Sequence, residues 1–125
     1  MNPIPNLTLQ DYTILRELIK NNTDLRIAKE VNQLSTELDR AIVNKTEPVA
    51  PDVIKINSLV EVEEEKTKSR LTVRIVLPGE ANLKEGKISV FAPLSIALIG
   101  FKKEDKVEWE MPSGIKNITI TKVSS

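Results

Sequence analysis

Carboxylates, lysines and hydroxyls are the main side chains with which this sequence could do chemistry, because its 125 residues include no histidine and no cysteine. Nucleophile–base pairs of the Ser–His or Cys–His kind are therefore excluded, together with disulfides, thiolate zinc sites and the usual general base near neutral pH. What remains is gathered in a few places. An acidic run, Glu61, Glu63, Glu64 and Glu65, precedes a basic one, Lys66, Lys68, Arg70 and Arg74. The first reads as a solvated strand end and turn, and the second as a local cluster able to touch nucleic acid or an acidic patch of a partner. Asp24 stands with Asn22 in a polar stretch between two apolar ones. Over the whole chain 18 lysines and arginines balance 18 aspartates and glutamates, so no overall field favours nucleic acid or lipid. Neither a cofactor nor a catalytic or metal site is expected.

The elements that must position these residues fall into two groups. From Leu9 to about Val43 the apolar residues recur at helical spacing. Ile27, Val31, Leu34, Leu38 and Ala41 step by four and three, the seam of a coiled coil. Tyr12, Ile14, Leu15, Leu18 and Ile19 form an earlier stripe behind Thr8-Leu9-Gln10-Asp11, which reads as a capping box. Between the stripes, Lys20-Asn21-Asn22-Thr23-Asp24 reads as a turn in which Thr23 caps the second helix and Asp24 sits in its first turn. The pattern predicts a short antiparallel helical hairpin over residues 1–47, with helices of roughly 12 and 20 residues, carried as a semi-detached arm about 20 Å long. Asn44 to Pro51, with two prolines, reads as a linker.

From residue 48 to 125 the period changes to two. Leu71, Val73, Ile75 and Leu77 alternate with Thr72, Arg74 and Val76, as Val107, Trp109 and Met111 do with Glu108 and Glu110, and Ile118 and Ile120 with Thr119 and Thr121. Turn residues at Glu64 to Ser69, Pro78-Gly79 and Pro112-Ser113-Gly114 separate these stretches, which predicts an antiparallel sheet with Trp109 in its core. Within it lies the apolar run Ala92 to Gly100. Pro93 suits the first turn of a helix and Gly100 its C-terminal end, so two turns of helix are expected between them. The fold class is α+β. No apolar run approaches the ~20 residues that span a bilayer. The N-terminal MNPIPNLTL has no basic flank before an apolar run, so neither a membrane span nor a secretory signal is expected and the cytoplasm is the expected location.

The order of these elements resembles the C-terminal domain of the Gre transcript-cleavage factors. The resemblance is carried by Ser89, Pro93, Leu98-Ile99-Gly100, Glu104-Asp105 and Pro112-Ser113-Gly114. Glu37-Leu38-Asp39-Arg40-Ala41, Pro51-Asp52-Val53, Asn57-Ser58, Ala92-Pro93 and Trp109-Glu110 resemble more closely the Rnk family, regulators of nucleoside diphosphate kinase and short-armed relatives of the Gre factors. That resemblance implies an FK506-binding-protein-like sheet domain, a short coiled coil and bacterial RNA polymerase as partner.

The Gre factors hold a catalytic magnesium ion with acidic residues at the coil tip, where the family reads Asp-Leu-Lys-Glu. Here the tip reads Asp24-Leu25-Arg26-Ile27, with an apolar residue at the second acid. Two carboxylates suit such a hard cation better than one, so Asn22 and Asp24 are kept as tip residues without a metal role. The resemblance also implies that the turn Phe91, Ala92, Pro93 and Leu94 carries the partner contact; Phe91 either fills the core or stands with Pro93 at the surface, and the surface is the expectation carried forward. Prolyl isomerisation is not expected, because the aromatic residues amount to Tyr12, Phe91, Phe101 and Trp109. The expectation is a monomeric, non-enzymatic regulator that binds polymerase and makes no sequence-specific contact with nucleic acid. Its alternatives are an active cleavage factor and an interaction module independent of polymerase.

Overall fold

The computed structural model describes residues 3–45, 50–111 and 113–124, so part of the expected linker, the boundary at residues 47 and 48, and Pro112 lie outside the described residues. Two 13-residue helices, α1 (Leu9–Asn21) and α2 (Ala28–Arg40), form the hairpin. They follow β1 (Asn6–Thr8) and precede β2 (Ile42–Asn44), which pair in parallel at the hairpin's base. Beyond the linker come β3 (Leu59–Glu64), β4 (Arg70–Val76), β5 (Lys87–Ser89), α3 (Pro93–Leu98), β6 (Lys106–Met111) and β7 (Gly114–Ser124). The five later strands make one sheet in the order β5-β4-β3-β7-β6.

The local signals explain most of these elements. Thr8 caps α1 by accepting a 3.0 Å hydrogen bond from the Asp11 amide, as the capping pattern requires. Leu15, Val31, Leu34 and Leu38 are buried, which is the expected seam, and Arg16 ties the two helices through Ser35 at 3.1 Å and through Asp39. Pro93 occupies the first turn of α3, and Gly100 follows its end at φ +84°. Alternation holds along the sheet: Val60 and Val62, Val73 and Ile75, then Ile118 and Ile120 point into the core.

The structure departs from the periodicity in three ways. The second helix has 13 residues and not 20, because Asp24, not Thr23, caps a 3-10 turn at Leu25–Ile27, and Ala41 is already extended toward β2. The sheet is mixed: β5 runs parallel to β4, because the chain crosses over through two 3-10 turns, Pro78–Glu80 and Leu83–Glu85, before pairing. Leu71 is exposed although it alternates with Val73, since it stands at the start of its strand beside a groove.

The hairpin is also not a detached arm. Leu15, Leu34 and Leu38 belong to the same buried cluster as Leu98, Phe101 and Ile120. A seam too narrow to bury itself fully is covered by the sheet domain instead. Polar ties among the described residues help to hold it there. The Asn6 amide donates to the Gly100 carbonyl at 2.7 Å, the Ile56 amide to the Asp11 carboxylate at 3.0 Å, and the Gln33 amide group to Glu110 at 2.6 Å.

Burial raises the Asp11 carboxyl above its ordinary value, against the opposing effects of the Ile56 hydrogen bond and of Lys55. A group that binds its proton more readily when folded adds stability fully at pH below its unfolded value of 3.8. That contribution is lost as pH rises through the folded value. Asp11→Asn cannot ionise, so its melting temperature should gain on the parent's as pH rises from below 3.8 toward neutrality. Parallel melting curves across that range would show that Asp11 carries no burial cost.

Candidate functional site

Two places on the surface answer to the sequence expectations. The first is an apolar groove of about 390 Å³ between the sheet and the start of α3. Leu71 and Val73 of β4, Ile88 of β5, Trp109 and Met111 of β6, and the Ala92-Pro93-Leu94 turn line it, with Leu83 at 84% exposure. The Trp109 indole nitrogen is buried and has no acceptor among the described residues. The tryptophan is half-buried and packs against the core, so the expectation of a core residue holds for one side of its ring only.

The turn expected to form this surface is only half exposed. Ala92 and Pro93 are partly open, but Phe91 and Leu94 are buried at 8% and 5% exposure. Phe91 therefore does not form an exposed edge. Its position follows from a tight backbone arrangement: the Ser95 hydroxyl donates to the Ser89 carbonyl at 2.6 Å, and the Phe91 amide donates to the Ser89 hydroxyl at 3.1 Å. The Val90 amide is fixed to the Val76 carbonyl at 2.9 Å. With both flanks of the turn held, the phenylalanine ring is directed inward while Pro93 remains at the groove. Leu83 escaped the sequence reading, although a lone leucine in the polar turn Asn82-Leu83-Lys84-Glu85-Gly86 was visible there.

The second place is the hairpin tip. Asn22 and Asp24 do come together: the Asn22 side-chain amide donates to the Asp24 carbonyl at 3.2 Å. Both Asp24 carboxylate oxygens face Arg26, at 3.0 and 3.1 Å, and one also caps the Arg26 amide. The Arg26 side chain, and then its amide, hold the Asp24 carboxyl below the ordinary aspartate value. Leu25, 88% exposed, is the outermost apolar side chain of this turn, and Ile27 is half-buried where the Gre pattern has its second acid.

The charged runs do not assemble into a site. Arg70 lies between Glu61 and Glu63, Arg74 donates to the Asn57 carbonyl, and Glu64 accepts from Thr67. Lys66 and Lys68 stand exposed in the turn between β3 and β4. The expected cluster is thus divided, because Arg70 and Arg74 are taken up by different partners and the two lysines lie in the turn.

A hairpin beside a mixed sheet, with α3 against it, is an architecture shared with a GreA/GreB transcription elongation factor of known structure. The family description "Transcription elongation factor, GreA/GreB, C-term" matches residues 48–125. The chain belongs to the GreA/GreB family. It is 36% identical to the transcription elongation factor GreA of Syntrophotalea carbinolica over 98 residues, which are 78% of this chain and 62% of that protein. It is 34% identical to GreA of Rhodopseudomonas palustris, covering 84% of this chain and 72% of the relative. The chain thus spans under two thirds of the first of these proteins. Among solved structures, a GreA/GreB elongation factor from Nitrosomonas europaea superposes with a TM-score of 0.76 at 27% identity, covering 98% of this chain and 99% of that one. Thermus aquaticus Gfh1 superposes at 0.56 with 31% identity, covering 94% and 84%.

Proposed function

We propose that this protein is a bacterial RNA-polymerase-binding transcription regulator of the Rnk type, with an FK506-binding-protein-like sheet domain, acting in the cytoplasm without stimulating transcript cleavage. It docks near the secondary channel through the sheet domain and holds its short hairpin at the channel mouth. The observation that carries the absence of cleavage is the tip. Its single acid, Asp24, has both oxygens engaged by Arg26, and Ile27 stands where a second carboxylate would be needed to hold magnesium. Each helix, at 13 residues, is only about 20 Å long, which limits reach.

Core polymerase in a backtracked complex tests this reading. The protein is expected to bind and to leave the RNA intact. Magnesium-dependent release of 3′ RNA fragments at stoichiometric protein would establish the runner-up, an active cleavage factor, which the likeness to the Nitrosomonas europaea elongation factor favours. Absence of binding would favour a module that works without polymerase.

The groove supplies the docking surface in this reading. An aromatic floor, an exposed proline edge and a protruding leucine are what a buried interface anchor requires. Leu83→Asp is expected to weaken polymerase binding by about 1 to 3 kcal/mol, because it places a charge where apolar surface would be desolvated. Its melting temperature should stay near the parent's, since Leu83 is 84% exposed in the free protein. Unchanged affinity in an equilibrium titration would remove the groove from the interface.

A further inference from the structure

We propose that Asp11 is the positioning residue that fixes the angle of the hairpin to the sheet domain, through its carboxylate and the Ile56 amide. Asp11 lies in the first turn of α1 and is 9% exposed. A carboxylate there could serve the helix start, but Thr8 already supplies the side-chain cap by accepting from the Asp11 amide. The carboxylate instead crosses 45 positions of sequence to accept from the Ile56 amide at 3.0 Å.

The donor is held firmly on its own side. Ile54 exchanges hydrogen bonds with Gly100 and Phe101, at 2.9 and 2.7 Å, and the Asn57 amide donates to the Ile75 carbonyl at 2.6 Å. The Ser58 hydroxyl accepts from the Lys55 amide at 2.9 Å. The Ile56 amide is therefore presented from a segment bound on both sides to the sheet domain. The apolar contacts of Leu15, Leu34 and Leu38 hold the hairpin against that domain but tolerate sliding, because burial is non-directional. A hydrogen bond to a buried carboxylate is directional, so it selects one orientation. The Asn6–Gly100 backbone bond pins the base of the hairpin at one point, and the side-chain bond between Gln33 and Glu110 is solvent-exposed and so competes with water. Through Asp11 the tip at Leu25 keeps one place relative to the groove.

The chain has no cysteine, so Leu25→Cys and Lys103→Cys, both at exposed positions, can carry a pair of spin labels. One narrow distance is expected in the otherwise unaltered chain and in Asp11→Asn, whose amide oxygen can still accept from Ile56. Asp11→Ala should lose that single distance. Val31→Ala, a truncation in the buried seam of α2, should lower the melting temperature and keep the distance. The proposal is overturned if Asp11→Ala keeps the narrow distance, or if Asp11→Asn or Val31→Ala loses it as well. If Asp11→Ala does not fold, hydrogen exchange in the unaltered chain decides. The Ile56 amide is then expected to be protected like that of Ile54, whereas exchange at the rate of an open turn overturns the proposal.

Discussion

Phe91→Asp is expected to unfold the protein nearly as completely as Leu98→Asp. Phe91 is 8% exposed and Leu98 fully buried, and both sit in the single core cluster that joins the sheet, α3 and the hairpin. Truncating a buried phenylalanine alone costs about 3 to 5 kcal/mol. Aspartate adds a carboxylate that must be buried without a partner or be protonated, which costs several kcal/mol more. Domains of this size are stable by about 5 to 15 kcal/mol, so the sum consumes most or all of it. Leu83→Asp, at an exposed position on the groove, is the control. Thermal melts of the three variants decide the issue. A Phe91→Asp protein that melts like Leu83→Asp would return Phe91 to the surface and undo the inward orientation set by Ser89 and Ser95.

The second large effect is expected at Gly100. Its φ of +84° lies in the left-handed region, where a side chain costs about 1 to 2 kcal/mol. Space is the stronger constraint. A Cβ on Gly100 would stand 2.7 Å from the Pro5 Cβ and 3.2 Å from the nitrogen and oxygen of Asn6. Those neighbours cannot easily move away, because the Asn6 amide donates to Gly100 itself and the Pro5 carbonyl accepts from Ile42 at 2.9 Å. Relieving the clash means separating the base of the hairpin from the end of α3. Gly100→Ala should therefore lose about 3 kcal/mol or more in denaturant unfolding, the sum of the conformational and overpacking costs. Gly79→Ala provides the contrast, with nothing within 4 Å of the added Cβ and no positive φ. It should be neutral or slightly stabilising. Equal losses at the two glycines would show that close approach at Gly100 is not the cause.

The two effects share an origin in the junction between the hairpin and the sheet domain. Gly100 admits the N-terminal strand, Asp11 reaches across to Ile56, and the leucines of α2 complete a core that α3 alone would leave open. The same junction fixes where the tip stands relative to the groove. Under the proposed function, the docking groove and the tip would then belong to one continuous surface, so that a hairpin too short to reach far would still be held at a defined place.

What the sequence by itself determined were features whose causes are local. The stepping of Val31, Leu34 and Leu38 required a helix with one apolar face, and the alternation around Val73 and Ile118 required strands with one buried face. Pro93 and Gly100 delimited a short helix, and Thr8 began the first one, because each acts on its own backbone or that of residues three positions away. The tip departure from the Gre pattern was legible for the same reason, since it depends on which residue stands at Ile27.

The tertiary structure alone decided what depends on distant partners. The three-residue strands β1 and β2 are too short to show a period, and they exist because residues 36 positions apart pair in parallel. The parallel placement of β5 depends on a crossover that no alternation encodes. Arg26 stands only two residues after Asp24, yet the engagement of both carboxylate oxygens needed the geometry of the 3-10 turn. Phe91 was expected outside because an aromatic beside a proline fits an exposed edge equally well. Only the hydrogen bonds of Ser89 and Ser95, with Val90 held on β4, choose the inward direction. Asp11 looked like an ordinary acid in a helix's first turn, because periodicity records which face a residue lies on and not what the rest of the chain brings against it.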